Sequence, residues 1–331
     1  MTCRITLLAL DECFASNLVG TADLLRAANL VAAQFDARAG PPFSWQVVSP
    51  DGKPVRASNG LTLNVNGAAA DQPPGQLIVV PAFGSPQPEH FLAVLQRHQR
   101  LLPWLREQYD SGVTLAASCS GSFLLAEGGL LDGRCATTSW WLGELFRSRY
   151  PAVRLELRSM LTHDERLLCS GTGMSHVDLA LHIIGAHAGR AVARMVANYA
   201  VLDDRRRSQA PFVAPHHAQG HDPVVLKAEQ WIKAHLNRVI TVEDIAAQVA
   251  VSPRTLTRRF HEHVGDSPLE FVQKLRIEAS KALLENTQLR VGEIVERVGY
   301  ADDSTFRRLF RKHTTLSPRN YRQRFGLDAA T

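Results

Sequence analysis

Between Thr241 and Phe325 the chain repeats itself, and that repeat restricts the fold more than composition does. The first copy reads TVEDIAAQVAVSPRTLTRRFHEHVGDSPLEFVQKLR and the second RVGEIVERVGYADDSTFRRLFRKHTTLSPRNYRQRF. Ile245 matches Ile294 and Val249 matches Val298, 49 positions on. After a one-residue slip Leu256 matches Phe306, Phe260 matches Phe310, and Ser267-Pro268 matches Ser317-Pro318, 50 positions on. Two units are too few for a solenoid. They suit a duplicated helical module.

Each copy reads as helix, short turn, helix. Thr241 is an N-cap with Asp244 three residues on, close to a capping box. Ile245, Ala246 and Val249 form an apolar stripe at helical spacing. Ser252-Pro253 then starts a second helix, cap followed by proline at its first position. Leu256 and Phe260 face inward on that helix, and Arg254, Arg258 and His261 point outward. In the second copy Phe306, Leu309 and Phe310 face inward. Ser304, Arg308 and Arg311 face out, with Arg307 on the flank. Arginine forks match guanine edges and phosphates, and small polar residues allow close approach to bases. The expected recognition helices are Ser252–Val264 and Asp303–Lys312, with Pro268–Leu284 as the spacer. Arg254, Thr257 and Arg258 are the candidates for one major groove, and Ser304, Arg307, Arg308 and Arg311 for the next.

From Val224 to Phe325 the sequence resembles the DNA-binding domain of the AraC/XylS transcription regulators. The matching residues are Arg259-Phe260, Gly265, Arg276, Ala279, Leu283-Leu284, Ile294, Val298-Gly299-Tyr300, Asp303, Phe306, Phe310, Ser317-Pro318 and Tyr321-Arg322. Thr315 departs from the pattern, standing where Gly265 supplies a glycine in the first copy. A non-glycine at a left-handed helix end costs about 1 kcal/mol. The resemblance implies double-stranded promoter DNA and RNA polymerase as partners.

Charge follows the same division. From Pro223 to Thr331 there are 18 Lys and Arg against 13 Asp and Glu, a net of +5, whereas the preceding 222 residues carry 19 of each. The excess positive charge therefore lies on the duplicated module, as attraction to phosphate requires. Five cysteines with no CxxC pair argue for reduced thiols in a cytoplasmic protein rather than a disulfide framework or a zinc site. Ile5–Leu10 is too short and too soon followed by Asp11-Glu12 to be a signal peptide. No apolar run reaches membrane-span length.

The first 202 residues alternate apolar strands with helices. Strands are expected at Ile5–Leu10, Trp45–Ser49, Leu61–Val65, Gln76–Pro81, Val113–Ala117, Ala136–Thr138, Val153–Leu157 and Leu167–Ser170. Helices are expected at Ala15–Phe35, Glu89–Tyr109, from after Gly121 through Ala126, His176–His187 and Ala191–Leu202. This predicts a doubly wound, mostly parallel sheet of flavodoxin-like α/β class, residues 1–202. An exposed linker follows at 203–222, holding three consecutive arginines, His216-His217 and His221, and then an all-α domain at 223–326 with two helix-turn-helix units.

Val113–Ala126 reads as a strand, a tight turn at Ser118-Cys119-Ser120-Gly121, and a helix, the layout of a nucleophile elbow. A thiol there sits beside a helix start, whose field favours thiolate and binds anions. The stretch continues EGGLLDGRCATTSWW. It is similar to the PfpI-like branch of the class I glutamine amidotransferase superfamily, in the form fused ahead of AraC-type domains, the GlxA-like regulators. The similarity extends through SPDGKPV, RASNGL, LIVVPAFG and GTGMSHVDLALHII.

Catalytic members of that superfamily carry a histidine after the elbow. The fused regulators usually read ATTHW there, and this chain has Ser139 instead. Serine cannot act as a base near neutral pH, so Cys119 reads as a vestigial nucleophile position and the chain as no enzyme. His163, His176, His182 and His187 are candidate substitutes for the missing base. The alternative is a cysteine-dependent hydrolase or amidase with an appended DNA-binding domain.

A ligand pocket rimmed by Asn17, Phe83, Gly84, Cys119, Ser120, Ser139 and Trp140 is the expected remnant, suited to a carboxylate- or amine-bearing metabolite. Each residue has a structural alternative: Cys119 as a small hydrophobe, Trp140 as core, Asn17 as a helix cap. No metal or cofactor is expected. Gly171-Thr172-Gly173 lacks the lysine of a phosphate loop, and the linker histidines have no ligand geometry. The α/β domain is expected to sense a metabolite and to dimerise, or to serve only as a dimerisation platform.

Overall fold

The computed structural model describes residues 2–36, 38, 40–73, 75–84, 87–202, 208–210, 222–264 and 266–326. The chain divides into two compact units, Met1–Gln209 and Ala210–Thr331.

The first unit runs β1 (Cys3–Leu8), α1 (Ala15–Phe35), β2 (Phe43–Ser49), β3 (Val55–Arg56), β4 (Thr62–Leu63), β5 (Gly67–Ala68), β6 (Leu77–Val80), α2 (Pro88–His98), α3 (Leu102–Asp110), β7 (Thr114–Ser118) and α4 (Gly121–Glu127). It continues with β8 (Cys135–Ala136), α5 (Gly143–Arg149), β9 (Arg154–Leu155), β10 (Leu161–Asp164), β11 (Leu167–Ser170), α6 (His176–Ala188) and α7 (Arg190–Tyr199). The main sheet has the order β10-β11-β7-β6-β1-β2-β5. It is parallel except for β10, which pairs antiparallel with β11. The central strands are buried on both faces, Leu77 through Val80 at 1% exposure or less. Such strands must be apolar at every position rather than alternating. Helices α1, α6 and α7 pack on one another, and α4 packs on α2 and α3. Phe91, Phe123, Phe146 and Tyr150 continue the second layer edge to face.

Four expectations change. Leu161–Asp164, where no strand is expected from sequence, is the antiparallel edge strand β10. Helix Glu89–Tyr109 is two helices joined by a 3-10 turn at Gln99–Leu101. Pro103 lies in the first turn of α3, and proline has no N–H to carry the ladder of α2 onward. Within the span read as an exposed linker, Ser208 bridges to Ser159 and Gln209 is fully buried. The Gln209 amide donates to the Thr138 carbonyl oxygen at 2.9 Å. A buried amide group requires such partners, so this segment belongs to the α/β unit. Asp222, the last residue of that span, caps the next helix. The three arginines, His216, His217 and His221 lie outside the described residues.

The second unit is helical: α8 (Pro223–Ala234), α9 (Val242–Gln248), α10 (Pro253–His263), α11 (Pro268–Asn286), α12 (Val291–Arg297), α13 (Asp303–Thr314) and α14 (Pro318–Phe325). Each copy has its own core. Ile245, Leu256 and Phe260 pack with Phe271 in the first. Ile294, Phe306 and Phe310 pack with Ile277 and Tyr321 in the second. Helix α11 supplies residues to both cores, as a spacer must. Its buried Arg276 donates to the Leu236 carbonyl oxygen at 3.2 Å and lies over the Tyr300 ring, tying the end of α8 to the second copy.

Candidate functional site

The faces expected to read DNA follow from helix capping. Thr241 and Asp244 form a reciprocal capping box on α9. Ser252 caps α10 by accepting from the Thr255 N–H at 3.2 Å. With Leu256 and Phe260 fully buried, helical geometry leaves Arg254, Arg258 and His261 exposed. Arg254 makes no hydrogen bond or ion pair among the described residues. Arg258 is held by Glu262 one turn on, at 2.7 Å. An exposed pair of that kind is worth about 0.3–0.5 kcal/mol, so a phosphate can replace Glu262 readily. Thr257 donates its hydroxyl to the Pro253 carbonyl oxygen at 2.9 Å, leaving oxygen lone pairs outward.

The second face starts differently. Asp302 caps α13, accepting from the N–H groups of Ser304 and Thr305 and from the Ser304 hydroxyl. The Thr305 and Ser304 hydrogen bonds hold this carboxyl far below the usual carboxylate range. Asp303 pairs with Arg307 at 2.6 Å. Ser304 and Arg307 are thus engaged by aspartates, whereas Arg308 and Arg311 have no such partner among the described residues. Arg307, Arg308, Arg311 and Lys312 line a shallow groove with Ser317 and Pro318. At the helix end Thr315 has φ +65°, the left-handed conformation expected there. Gly265, its counterpart, lies outside the described residues.

In the α/β unit Cys119 occupies the elbow at φ +54°, and the expectation of a thiolate is not met. The thiol is 3% exposed, and burial pushes it up from its ordinary value, against the Ser139 hydrogen bond. Its own N–H is spent on the Ser170 carbonyl oxygen at 2.8 Å. Ser139 touches the sulfur and is 3.1 Å from the Gly171 carbonyl oxygen. A hydroxyl has one proton. With that proton on Gly171, the oxygen accepts from a neutral S–H.

Among the described residues no histidine replaces the missing base beside Cys119. His176 lies 3.0 Å from the Gly173 carbonyl oxygen, His163 and His182 stack edge to face, and His187 meets Phe43. Asn17 ties three segments together. Its amide donates to the Gly173 carbonyl oxygen at 2.7 Å, and its oxygen accepts from the Ala82 N–H at 2.9 Å. Ser120 accepts from the Phe83 N–H and donates to the Phe83 carbonyl oxygen. Asn17, Phe83, Cys119, Ser120 and Ser139 are all buried, and Trp140 is half-buried against Trp141.

The open space lies beside this cluster. A cleft of about 520 Å³ is lined by Asp11, Glu12, Arg56, Ala57, Ser58, Gly60, Gly84, His90 and Arg97. Gly84 alone among the predicted pocket residues reaches it. The Glu12 carboxylate is held by His90 at 2.5 Å and by Arg97. Glu12 itself has φ +60°. The sequence offered no sign of this cleft, because its walls come from four separated segments.

All five cysteines are free thiols. No group of three or more metal-ligating side chains occurs among the described residues, and no described helix is long and apolar enough to cross a membrane.

Residues 4–185 match the DJ-1/PfpI family and residues 245–324 a helix-turn-helix domain. The HTH-type transcriptional regulator CdhR of Pseudomonas aeruginosa is 32% identical over 83% of this chain and 80% of its own length. The HTH-type transcriptional regulator GlxA of Rhizobium meliloti is 25% identical over 91% of this chain and 90% of its own. Among solved structures, a THiJ/PfpI family protein from Pseudomonas syringae superposes with a TM-score of 0.51 at 15% identity, covering 82% of this chain and 91% of that one, a likeness of fold. The chain therefore belongs to the DJ-1/PfpI family, as a transcriptional regulator that carries an AraC-type helix-turn-helix DNA-binding domain behind its α/β domain.

Proposed function

We propose that the α/β domain is a sensor without catalytic chemistry. In this reading it binds a small metabolite in the cytoplasm, holds two copies of the chain together, and sets how the helical domain engages promoter DNA and RNA polymerase. The observation that carries the reading is the buried Cys119–Ser139 pair. A cysteine nucleophile needs a base within hydrogen-bond reach. Ser139 supplies none, and burial favours the neutral thiol. The elbow is retained as a packing element.

On the DNA side, α10 and α13 enter successive major grooves about 34 Å apart. Arg254, Thr257 and Arg258 face the first, and Ser304, Arg307, Arg308 and Arg311 the second. Genome-wide DNA binding with and without candidate metabolites tests the whole reading, and the occupied promoters name the regulated process. A metabolite at a hundred times its dissociation constant stabilises its domain by about 2.7 kcal/mol, a clear rise in melting temperature. Hydrolase or amidase turnover that disappears in Cys119→Ala would replace the sensor with an enzyme. A broad metabolite set that never shifts melting would reduce the domain to a dimerisation platform.

A further inference from the structure

The order of the strands points to a place for the metabolite. Strand β1 lies between β2 and β6 in the sheet. The chain leaves β1 towards β2 on one side and returns to β6 on the other. The loops at the carboxyl ends of β1 and β6 therefore diverge, and in open α/β sheets a ligand crevice forms at that switch. The 520 Å³ cleft opens there, with Asp11 and Glu12 from the loop after β1 and Gly84 from the loop after β6. Its volume is that of a small-molecule site.

The surrounding charges have unequal freedom. The Asp11 carboxylate accepts from the Arg56 N–H at 3.1 Å. The Glu12 carboxylate is filled by His90 and Arg97. The Glu12 charge is thus answered and Asp11 accepts one backbone hydrogen bond, whereas the Arg56 guanidinium has no hydrogen bond or ion pair among the described residues. Glu12 holds a left-handed backbone, which a non-glycine residue adopts only under strain. Its N–H donates to the Arg56 carbonyl oxygen at 2.8 Å and its carbonyl oxygen accepts from the Gly84 N–H at 3.1 Å. This backbone fixes Arg56, Glu12 and Gly84 around one space.

We infer that this cleft, rather than the elbow, is the ligand site of the α/β domain, and that it takes a small molecule bearing a carboxylate. The carboxylate sits on the Arg56 fork, a planar donor pair matched to it. Arg97, held by Glu12, offers further N–H groups beside it. The inference rests on the reading of this domain as a sensor.

Calorimetric titration of the full chain tests it, with short mono- and dicarboxylates and amino acids, each paired with its primary amide. At least one carboxylate binds, and its amide binds at least tenfold more weakly. Arg56→Gln weakens that carboxylate at least tenfold, Arg56→Lys weakens it less, and Ser139→Ala leaves it within about threefold. Arg56→Lys also serves as the working variant if Arg56→Gln fails to fold. A carboxylate that binds wild type and the Arg56 variants alike, or is lost in Ser139→Ala instead, overturns the site and leaves the sensor standing. Binding of neutral or cationic metabolites with no carboxylate preference overturns the ligand class. If neither this panel nor a broad metabolite set binds, the sensor reading falls and takes the inference with it.

Discussion

At the turn of the first helix-turn-helix copy stands Ala250, with φ +54°, and 49 positions on the second copy has Gly299, with φ +83°. The conformation is shared and the freedom to carry a side chain is not. A Cβ at 299 would collide with the Leu236 carbonyl oxygen and lie 2.8 Å from the Arg276 guanidinium. That guanidinium is itself anchored by hydrogen bonds to the carbonyl oxygens of Leu236 and Arg238. The second turn is thus pressed against the junction that ties the copies together. Duplication kept the backbone and made one turn part of an interface.

The largest expected effect breaks that comparison directly. Gly299→Ala adds a Cβ in the left-handed region and overpacks the junction, together costing about 2–4 kcal/mol. Ala250→Gly loses chain-entropy advantage but relieves left-handed strain, and should change stability by less than about 1 kcal/mol. Denaturant unfolding of both variants measures the difference. Equal losses would show that the two turns are mechanically equivalent.

The exposed faces differ in a second way. Position 254 is an arginine with no partner among the described residues, and its counterpart 50 residues on is Ser304, bonded to Asp302. Arg258 is answered by Glu262, whereas Arg308 has Lys312 one turn on. The first helix presents Arg254, without a partner among the described residues, near its start, and the second concentrates positive charge further along. The first should read bases and the second should tune affinity. Arg254→Ala is expected to lose about 1–3 kcal/mol on the cognate site and to relax preference at one base pair. Competition binding against single-substitution operators reads this out. A loss equal on every sequence would make Arg254 a phosphate contact, and a larger loss from Arg308→Ala than from Arg258→Ala would reverse the division of labour.

Arg311→Ala sharpens the same contrast by its salt dependence. A lost phosphate contact weakens all sequences alike and reduces the slope of log K against log salt by about 0.9. Glu262→Lys gives the first copy the charge pattern of the second, and should raise affinity uniformly while steepening that slope. An operator-specific response to either variant would place base readout on the part of the helix assigned to phosphate.

These differences were legible in sequence wherever one contiguous stretch carried them. Helix α1 begins at Ala15 and ends at Phe35, as its apolar spacing predicts. The thiol and Ser139 lie 20 residues apart and were paired by the motif alone. Strand β10 was not legible, since a four-residue edge strand of Leu, Thr, His and Asp carries little apolar signal. Gln209 looked like polar linker, and only the carbonyl groups waiting in the α/β unit explain its burial. The cleft was invisible for a related reason. Glu12 and Arg97 are 85 residues apart, and no local pattern brings such side chains together.

The smallest effect concerns the other end of the recognition helix. Thr315 has φ +65° and ψ −2°, and its N–H donates to the Arg311 carbonyl oxygen at 2.9 Å, so it closes α13 in a left-handed turn. A β-branched residue is poorly suited to that conformation. Glycine removes a strain of about 1 kcal/mol but gives the unfolded chain more freedom, which takes back about 0.4–1 kcal/mol. Thr315→Gly should therefore stabilise the helical domain by no more than about 1 kcal/mol, the balance of those two effects, with specific DNA binding unchanged. A loss beyond 1 kcal/mol would mean that the Thr315 hydroxyl, 2.6 Å from the Thr314 carbonyl oxygen, contributes more to the turn than its backbone strain costs. In that case the second copy would have found its own way to end the helix, and the difference between the copies would extend from their turns to their caps.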